Sequence, residues 1–319
     1  RLGMEHLELP FSEMTSPAII GKLGQITFAA ATDGNHGRGV AWAASKLGHK
    51  AVIYVHKGTS PARVKAIEGY GAVVHAIDGT YDDAVRQVTL DAKANGWQVI
   101  SDTSWNGYEE IPIWVMQGYT TLLSEAQEQL AAQGIVAPTH VIVQAGVGAL
   151  AASVIGFYRS LFGAKAPVSA VVEPDKAACL YASAEKGTGV PVAFKGELDT
   201  IMAGLACGEP SPLAWRLLWD CADVFISCPD YVAAKGMRVY GVPLRGDPFI
   251  VSGESGAVTL GALMFIMRRK DAKPLKDALG LGPQSHLLLI NTEGNTDPYR
   301  FRDVVWDGAD AVPEEYRTS

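Results

Sequence analysis

The sequence predicts an α/β protein with two parallel-sheet cores, and three observations favour this fold class. Short β-branched runs alternate with helical stretches between residues 25 and 101. Runs such as 51–55 are apolar without alternation, which is typical of strands covered by helices on both faces of a parallel sheet. The same alternation returns in the second half of the chain. Repeated βαβ units therefore account for most of the sequence.

The first half contains four predicted strands separated by three predicted helices. The strands cover residues 26–31, 51–55, 72–77 and 98–101, and the helices cover 39–47, 61–70 and 81–95. A long amphipathic pattern from 112 to 132, ending at Gly134, predicts a helix that leads from one domain to the next. We therefore expect a small βα domain over residues 1–129.

The second half repeats the scheme with longer connections. Its predicted strands are 139–145, 168–173, 223–227 and 287–291, and its first helix is 149–161. Residues 186–212 are rich in Gly and Pro and predict an irregular segment, long enough to be functional. We therefore expect a larger domain over residues 130–319.

The composition argues against nucleic acid and membrane as partners. With 319 residues, of which 48% are apolar, the chain can bury a large core, and its net charge of −7 leaves no basic surface for nucleic acid. No apolar stretch approaches the roughly 18 residues that cross a bilayer. Cys179, Cys207, Cys221 and Cys228 lack the spacing of a zinc site, so we expect buried thiols and no metal. The sequence predicts a soluble cytoplasmic protein.

The most informative segment, residues 32–39, reads T-D-G-N-H-G-R-G and joins a predicted strand to a predicted helix. We call it the Asp33 turn. Its backbone N–H groups point outward at the positive end of the helix, so it can hold a carboxylate or a phosphate. Asp33 and His36 add titratable side chains. An ordinary turn is the alternative, with Asp33 as the helix N-cap, His36 bonded to backbone and the glycines present for their φ angles.

A second turn, residues 144–149, reads Q-A-G-V-G-A and also ends a strand and opens a helix. We call it the glycine loop. Its small residues allow backbone amides to approach a phosphate closely. Taken alone, a G-x-G turn is also compatible with a nucleotide or nicotinamide site, or with a purely structural turn.

The Asp33 turn resembles the S-x-G-N-H loop of the fold-type II pyridoxal-phosphate enzymes, which include serine and threonine dehydratases, serine racemase and cysteine synthase. An Asp in place of the Ser, followed by V-A-W-A-A, is more narrowly similar to the diaminopropionate ammonia-lyases. Further similar segments lie at 117–119, 144–149, 172–177, 201–210, 252–258 and 292–297. The resemblance implies a two-domain, tryptophan synthase β-like fold and pyridoxal 5'-phosphate as cofactor.

The resemblance also implies how the cofactor is held. Four residues of the glycine loop would cradle its phosphate: Gly146, Val147, Gly148 and Ala149. Asn35 would bond its 3'-oxygen, and Thr292 would face its pyridine nitrogen. A neutral hydroxyl at that nitrogen weakens the ring as an electron sink and favours β-elimination over transamination. Without the resemblance, Asn35 is a turn amide and Thr292 a hydroxyl at a strand end.

Asp33 and Asp102 are the candidate acid–base residues. Asp102 follows a predicted strand, where open α/β sheets place their ligands, although a helix cap is the alternative. The substrate implied by the resemblance carries a β-ammonium, which two carboxylates would attract. Either carboxylate could take a proton from carbon or deliver one to the leaving amine. Three further residues of the Asp33 turn would contact the substrate: Thr32, Gly34 and His36. The resemblance also places Cys179 and Cys207 in segments near the cofactor cleft, which makes them the pair of most interest if any two cysteines form a disulfide.

One feature departs from the resembled enzymes. They hold the cofactor through a lysine upstream of the G-N-H loop, but only 32 residues precede Asp33, and Lys22 leads directly into a strand without matching that motif. We therefore expect this lysine, with an N-terminal part of the large domain, in a segment that precedes the printed sequence. The alternative is a natural fragment without lyase activity.

These inferences predict an amino-acid lyase. The intact enzyme would eliminate the β-amine of 2,3-diaminopropionate and yield pyruvate and ammonia. A serine or threonine dehydratase with an altered loop is the alternative, and Asp33 distinguishes the two because the dehydratases carry Ser at that place. The expected partners are an amino-acid substrate and a second copy of the chain in a homodimer.

Overall fold

The computed structural model describes residues 9–32 and 34–317. The chain divides into two compact units, the first ending at Ser101 and the second beginning at Asp102. Within the described residues, each unit contains one four-stranded sheet, and neighbouring strands in both sheets run parallel. The predicted α/β class with two parallel-sheet cores is confirmed.

The first unit is built on β1 (Thr27–Ala31), β2 (Lys50–His56), β3 (Val73–Ile77) and β4 (Gln98–Val99). The strand order is β3-β2-β1-β4. The fourth strand is shorter than predicted, because β4 pairs with β1 only through its two residues. Ala30, Ile53 and Val55 form the apolar core on one face of this sheet, together with Ile67.

Five helices surround this sheet in the described part of the first unit: α1 (Phe11–Met14), α2 (Pro17–Leu23), α3 (Asn35–Lys46), α4 (Pro61–Glu68) and α5 (Tyr81–Asn95). Ser16 and Ser60 cap α2 and α4, and Thr80 forms a capping box with Asp83 at the start of α5. These caps satisfy backbone N–H groups that a helix start leaves without partners. α3 follows the Asp33 turn directly, with Gly34 at its N-cap.

The second unit is built on β5 (His140–Gln144), β6 (Val168–Pro174), β7 (Val224–Cys228) and β8 (Leu287–Leu289). The strand order is β7-β6-β5-β8. Val141 and Val143 face one core, whereas Ile142 between them faces the other. Both faces of the sheet are therefore buried, which explains why its strands are apolar without alternation.

Eight helices cover this sheet in the described part of the second unit: α6 (Glu110–Ala132), α7 (Ala149–Phe162), α8 (Cys179–Lys186), α9 (Pro212–Cys221), α10 (Asp230–Gly241), α11 (Glu254–Arg268), α12 (Lys273–Leu279) and α13 (Pro298–Val305). α10 and α11 approach each other closely at Gly236, where an added Cβ would collide with the carbonyl oxygen of Ala257. Glycine at this position allows the approach. Between α8 and α9 the chain is irregular apart from a 3-10 turn at Ala203–Leu205. The irregular segment predicted at residues 186–212 is therefore present.

The predicted domain boundary and the compact units have different positions. α6 packs against α7, so the compact unit that begins at Asp102 includes the whole of this helix. The boundary at residue 129 stays a prediction about the domains of the intact protein. None of the described helices combines the length and the hydropathy needed to span a bilayer.

Candidate active site

The Asp33 turn connects β1 to α3 through a tightly packed backbone. The buried Thr32 hydroxyl accepts hydrogen bonds from the N–H groups of Gly34 and Gly37, each at 2.9 Å. Gly34 has φ +151°, a conformation that favours glycine. A Cβ at Gly37 would lie 2.8 Å from the Cγ2 of Ile53, so only glycine fits there. Thr32 therefore fixes the shape of this turn.

Asn35 and His36 were also assigned to the site on this turn. Asn35 begins α3 and is exposed to solvent. The Nε2 of His36 lies 2.9 Å from the carbonyl oxygen of Ile100, which follows β4. This contact corresponds to the backbone-bonded alternative for His36. Asp33 lies outside the described residues.

Arg63, near the start of α4, is a buried cation beside the Asp33 turn. Its Cδ would lie 3.4 Å from a Cβ at Gly34. Burial lowers the pKa of His56, and the nearby charge of Arg63 lowers it further. Sequence reasoning assigned no role to Arg63, because an arginine in a helix start gives no signal of burial.

The glycine loop connects β5 to α7. Gly148 is the N-cap of α7 with φ +98°, and no side chain of the described residues caps this helix. The first turn presents the N–H groups of Ala149, Leu150 and Ala151, whereas the Ala152 N–H already donates to the Gly148 carbonyl oxygen at 2.8 Å. Backbone N–H groups at the start of a helix have no partner within the helix. They are therefore available to a phosphate, which the helix dipole also favours.

The carbonyl oxygens of the glycine loop are also bound by the protein. The Cys179 thiol donates to the carbonyl oxygen of Gly146 at 3.7 Å, and the Ser211 N–H donates to that of Val147 at 2.9 Å. Two carbonyl oxygens of the loop are thus bound by protein donors. They are therefore not free to repel an anion at the outer face of the loop.

Both glycines of the loop lie against the protein. A Cβ at Gly146 would lie 3.0 Å from the sulfur of Cys207, and one at Gly148 would lie 3.1 Å from the Cδ1 of Leu218. Side chains at these positions would push the loop away from the core. Cys179 and Cys207 thus both border the glycine loop, and both carry thiols.

Thr292 lies at the same edge of the sheet as the glycine loop. Gln144, the last residue of β5, donates from Nε2 to the Thr292 hydroxyl at 3.2 Å, and Thr292 follows β8 after two residues. β5 and β8 are parallel neighbours, so their carboxyl ends place both residues together. No role was predicted for the side chain of Gln144. The signal that could have identified it is an amide residue at the end of an apolar strand.

Asp102, the first residue of the second unit, is half-buried. Burial raises the pKa of Tyr119 on α6, and the charge of Asp102 raises it further, which places this phenol within the electrostatic reach of the carboxylate. Trp105 stacks on Tyr108, with ring centroids 4.1 Å apart. The structure thus brings Asp102, Thr292 and the glycine loop into one compact unit.

Glu173, at the carboxyl end of β6, is a fully buried acid that sequence reasoning did not single out. Its carboxyl group accepts from the N–H groups of Leu180 and Tyr181 at 2.8 and 2.6 Å. Burial raises its pKa to about 8, against the opposing effect of these N–H donors. Among the described residues, no group of His, Cys, Asp and Glu is arranged to hold a metal ion.

The glycine loop is suited to the phosphate of pyridoxal phosphate. Its glycines pack closely against the protein, two of its carbonyls are held by the protein, and α7 presents backbone N–H groups to an anion. The neutral Thr292 hydroxyl is a suitable partner for a ring nitrogen. The residues present therefore fit this cofactor.

Comparisons with known proteins show the family of this chain. Residues 12–279 match the family model "Pyridoxal-phosphate dependent enzyme". Over 311 residues the chain is 50% identical to diaminopropionate ammonia-lyase of Escherichia coli K12, covering 98% of this chain and 75% of the relative. It is 47% identical to the same enzyme of Salmonella typhimurium, covering 95% and 75%.

Solved structures agree as well. The crystal structure of the Escherichia coli enzyme in complex with D-serine matches with a TM-score of 0.89 and 48% identity, covering 96% of this chain and 75% of that one. Its complex with an aminoacrylate–PLP azomethine reaction intermediate matches with a TM-score of 0.85 and 51% identity, covering 91% and 73%. The resemblance inferred from the sequence is confirmed. The chain belongs to the pyridoxal-phosphate-dependent enzymes and, among them, to the diaminopropionate ammonia-lyase family.

Proposed function

We propose that the protein eliminates the β-amine of 2,3-diaminopropionate, with pyridoxal 5'-phosphate as cofactor, and that pyruvate and ammonia are the products. The observation that carries this proposal is the glycine loop at the start of α7, in a chain that is 50% identical to a diaminopropionate ammonia-lyase. A dehydratase of serine or threonine remains the competing activity.

Gly146, Val147, Gly148 and Ala149 would hold the cofactor phosphate, Asn35 its 3'-oxygen and Thr292 its ring nitrogen. When bound, the cofactor supplies a sink for the electrons left at the α-carbon. The hydroxyl oxygen of Thr292 already accepts from Gln144, so the hydroxyl hydrogen can be donated to an unprotonated ring nitrogen. A ring that stays unprotonated is a weaker sink, which favours β-elimination.

Asp33 would take the α-proton of one enantiomer of the substrate. Its support is its place in the turn between β1 and α3, within a backbone that Thr32 holds in shape. Thr32, Gly34 and His36 would border the substrate on this turn. Because Thr32 accepts two backbone hydrogen bonds, we assign it to shaping the turn and leave the substrate's carboxylate to backbone N–H groups.

Asp102 would hold the β-ammonium, which then leaves as neutral ammonia when the bond between the β-carbon and nitrogen breaks. Its half-buried carboxylate lies in the same unit as the glycine loop and Thr292. A carboxylate can accept hydrogen bonds from an ammonium group directly. Tyr119 on α6 is a titratable neighbour, because its pKa is raised by burial and then by the charge of Asp102.

The test is an assay of the complete natural protein with pyridoxal phosphate. We expect pyruvate and ammonia from diaminopropionate, with two ammonia molecules per pyruvate, and much slower turnover of serine and threonine. Ammonia release from serine or threonine alone would identify a dehydratase and remove the role given to Asp33.

We also propose a cytoplasmic homodimer. Exposed apolar side chains on the segment between α10 and α11 support a second copy of the chain as partner.

A further inference from the structure

Two buried serines form a hydrogen-bonded pair beside the glycine loop. Ser104 and Ser211 are 4% and 1% exposed, and their hydroxyl oxygens lie 2.8 Å apart. They are separated by 107 positions in the sequence. Burying two hydroxyl groups is costly unless they are hydrogen-bonded, so this pair is a specific feature of the fold.

Further hydrogen bonds connect the pair to two segments. The N–H of Ser104 donates to the Ser211 hydroxyl at 3.2 Å, and the N–H of Leu213 donates to the Ser104 hydroxyl at 3.0 Å. Ser211 is the N-cap residue of α9, yet its own side chain does not cap that helix. Ser104 supplies the capping oxygen from a distant segment instead.

Each serine adjoins one part of the proposed site. Ser104 lies two residues after Asp102. Ser211 donates its backbone N–H to the carbonyl oxygen of Val147 in the glycine loop at 2.9 Å. A continuous series of hydrogen bonds thus runs from the Asp102 segment, through both serines, to the loop.

Capping alone does not explain this arrangement. A helix N-terminus needs one side-chain oxygen, which Ser211 could supply by itself at its own N-cap position. The second buried hydroxyl adds a connection between segments, not another cap. What it fixes is the position of residues 102–104 relative to the glycine loop.

We propose that Ser104 and Ser211 are positioning residues, which hold the carboxylate of Asp102 at a fixed place relative to the loop that binds the cofactor phosphate. This inference rests on the proposed function for its catalytic consequence. Its consequence for phosphate binding is independent of which amino acid is the substrate, because the Ser211 N–H bonds the Val147 carbonyl oxygen of the loop and the hydroxyl pair fixes the position of Ser211.

The test compares Ser104→Ala, Ser211→Ala and the double variant in the complete natural protein. We expect each to lower kcat for diaminopropionate by roughly 10- to 100-fold with little change in KM, because a misplaced catalytic group slows the reaction step. The double variant should lose less than the product of the two single losses, since both single variants remove the shared contact between the hydroxyl groups. Ser211→Thr, which keeps the hydroxyl, should restore kcat.

A second measurement separates positioning from general destabilisation. Fluorescence titration of the apoprotein should show weaker binding of pyridoxal phosphate in both alanine variants, by about tenfold, and unchanged binding of pyridoxal, which has no phosphate for the loop to hold. Ser169→Ala is the matched control. This equally buried serine bonds Asp223 at 2.9 Å near the amino end of β6, and its loss should affect neither readout.

The outcomes are distinguishable. If Ser104→Ala and Ser211→Ala behave like Ser169→Ala in kcat and in the ratio of the two affinities, the inference is wrong. If the unaltered protein acts only on serine or threonine, the proposed function is wrong, and the affinity ratio still tests the pair. Should Ser104→Ala not fold, Ser104→Cys keeps the side-chain size with a weaker hydrogen bond and is expected to shift both readouts in the same direction.

Discussion

At Gly148 a single missing Cβ serves two purposes. The residue has φ +98°, and an added Cβ would also lie 3.1 Å from the Cδ1 of Leu218. We expect Gly148→Ala to lower the free energy of unfolding by about 1–3 kcal/mol, the cost of a strained backbone conformation plus local crowding. Denaturant unfolding of the apoprotein measures this loss.

The matched control for this change is Gly187→Ala. Gly187 caps the end of α8 with φ +66° and has open space around its missing Cβ. It should therefore show the backbone cost alone and a smaller loss of stability than Gly148→Ala. Equal losses would mean that contact with Leu218 contributes nothing.

Asp33 is expected to act on one enantiomer of the substrate. Asp33→Asn keeps the size of the side chain and removes its basicity, so kcat for one enantiomer of diaminopropionate should fall roughly 100-fold or more. The other enantiomer should be less affected, since its α-proton lies on the opposite side. Rates with the two purified enantiomers measure this, and an equal rise of KM for both would show that Asp33 only binds the ammonium.

The sequence is most informative about single residues where the signal is local. The glycine loop was recognisable because its turn residues are consecutive and lie between a strand and a helix. Gln144 and Thr292 are 148 positions apart, and Ser104 and Ser211 are 107 apart. Such partnerships depend on the tertiary fold, which no local pattern encodes.

Among the elements, α8 is held at its start by a buried acid. Glu173 accepts from two N–H groups of the first turn of α8, and burial raises its pKa to about 8. Since the pKa in the unfolded chain is near 4.3, the folded state binds more protons between these values. The contribution of Glu173 to stability is therefore largest at low pH and is lost as the pH rises toward 8.

Glu173→Gln should remove this pH dependence. The unfolding free energy of the unaltered apoprotein should fall relative to that of the variant as pH rises from about 5 to 8, by at most about 1.4 kcal/mol per pH unit. Urea unfolding at several pH values measures the difference. Glu128→Gln, an exposed glutamate on α6, is the control and should run parallel to the unaltered protein. A parallel curve for Glu173→Gln would show that its carboxyl group does not titrate in this range.

Strand and helix predictions were most accurate where burial on both faces leaves a continuous apolar run. β5 was predicted at 139–145 and is found at His140–Gln144, between two cores that share its residues alternately. β8, predicted at 287–291, ends at Leu289, because its pairing with β5 ends there. The length of an edge strand is therefore set more by its pairing with its single neighbour than by its own sequence.

At the scale of the whole molecule, an apolar segment remains exposed between α10 and α11. Leu244 and Phe249 are 80% and 61% exposed on a closed loop, in which the Ile250 N–H returns to the Tyr240 carbonyl oxygen at 3.0 Å. Burying such side chains stabilises an interface by roughly 1.5–3 kcal/mol each. In a symmetric dimer every such contact occurs twice.

Leu244→Asp should therefore weaken the proposed homodimer. The substitution replaces an apolar contact by a carboxylate in both copies, and we expect the dimer dissociation constant to rise at least about tenfold, which corresponds to a loss of roughly 1.4 kcal/mol. Sedimentation velocity of the complete protein over a concentration series measures this constant. Val136→Asp is the control, because Val136 is 78% exposed elsewhere in the same unit and should leave assembly unchanged. If both variants stay dimeric with the same constant, the interface lies on another face, and a monomer before any substitution would remove the homodimer altogether.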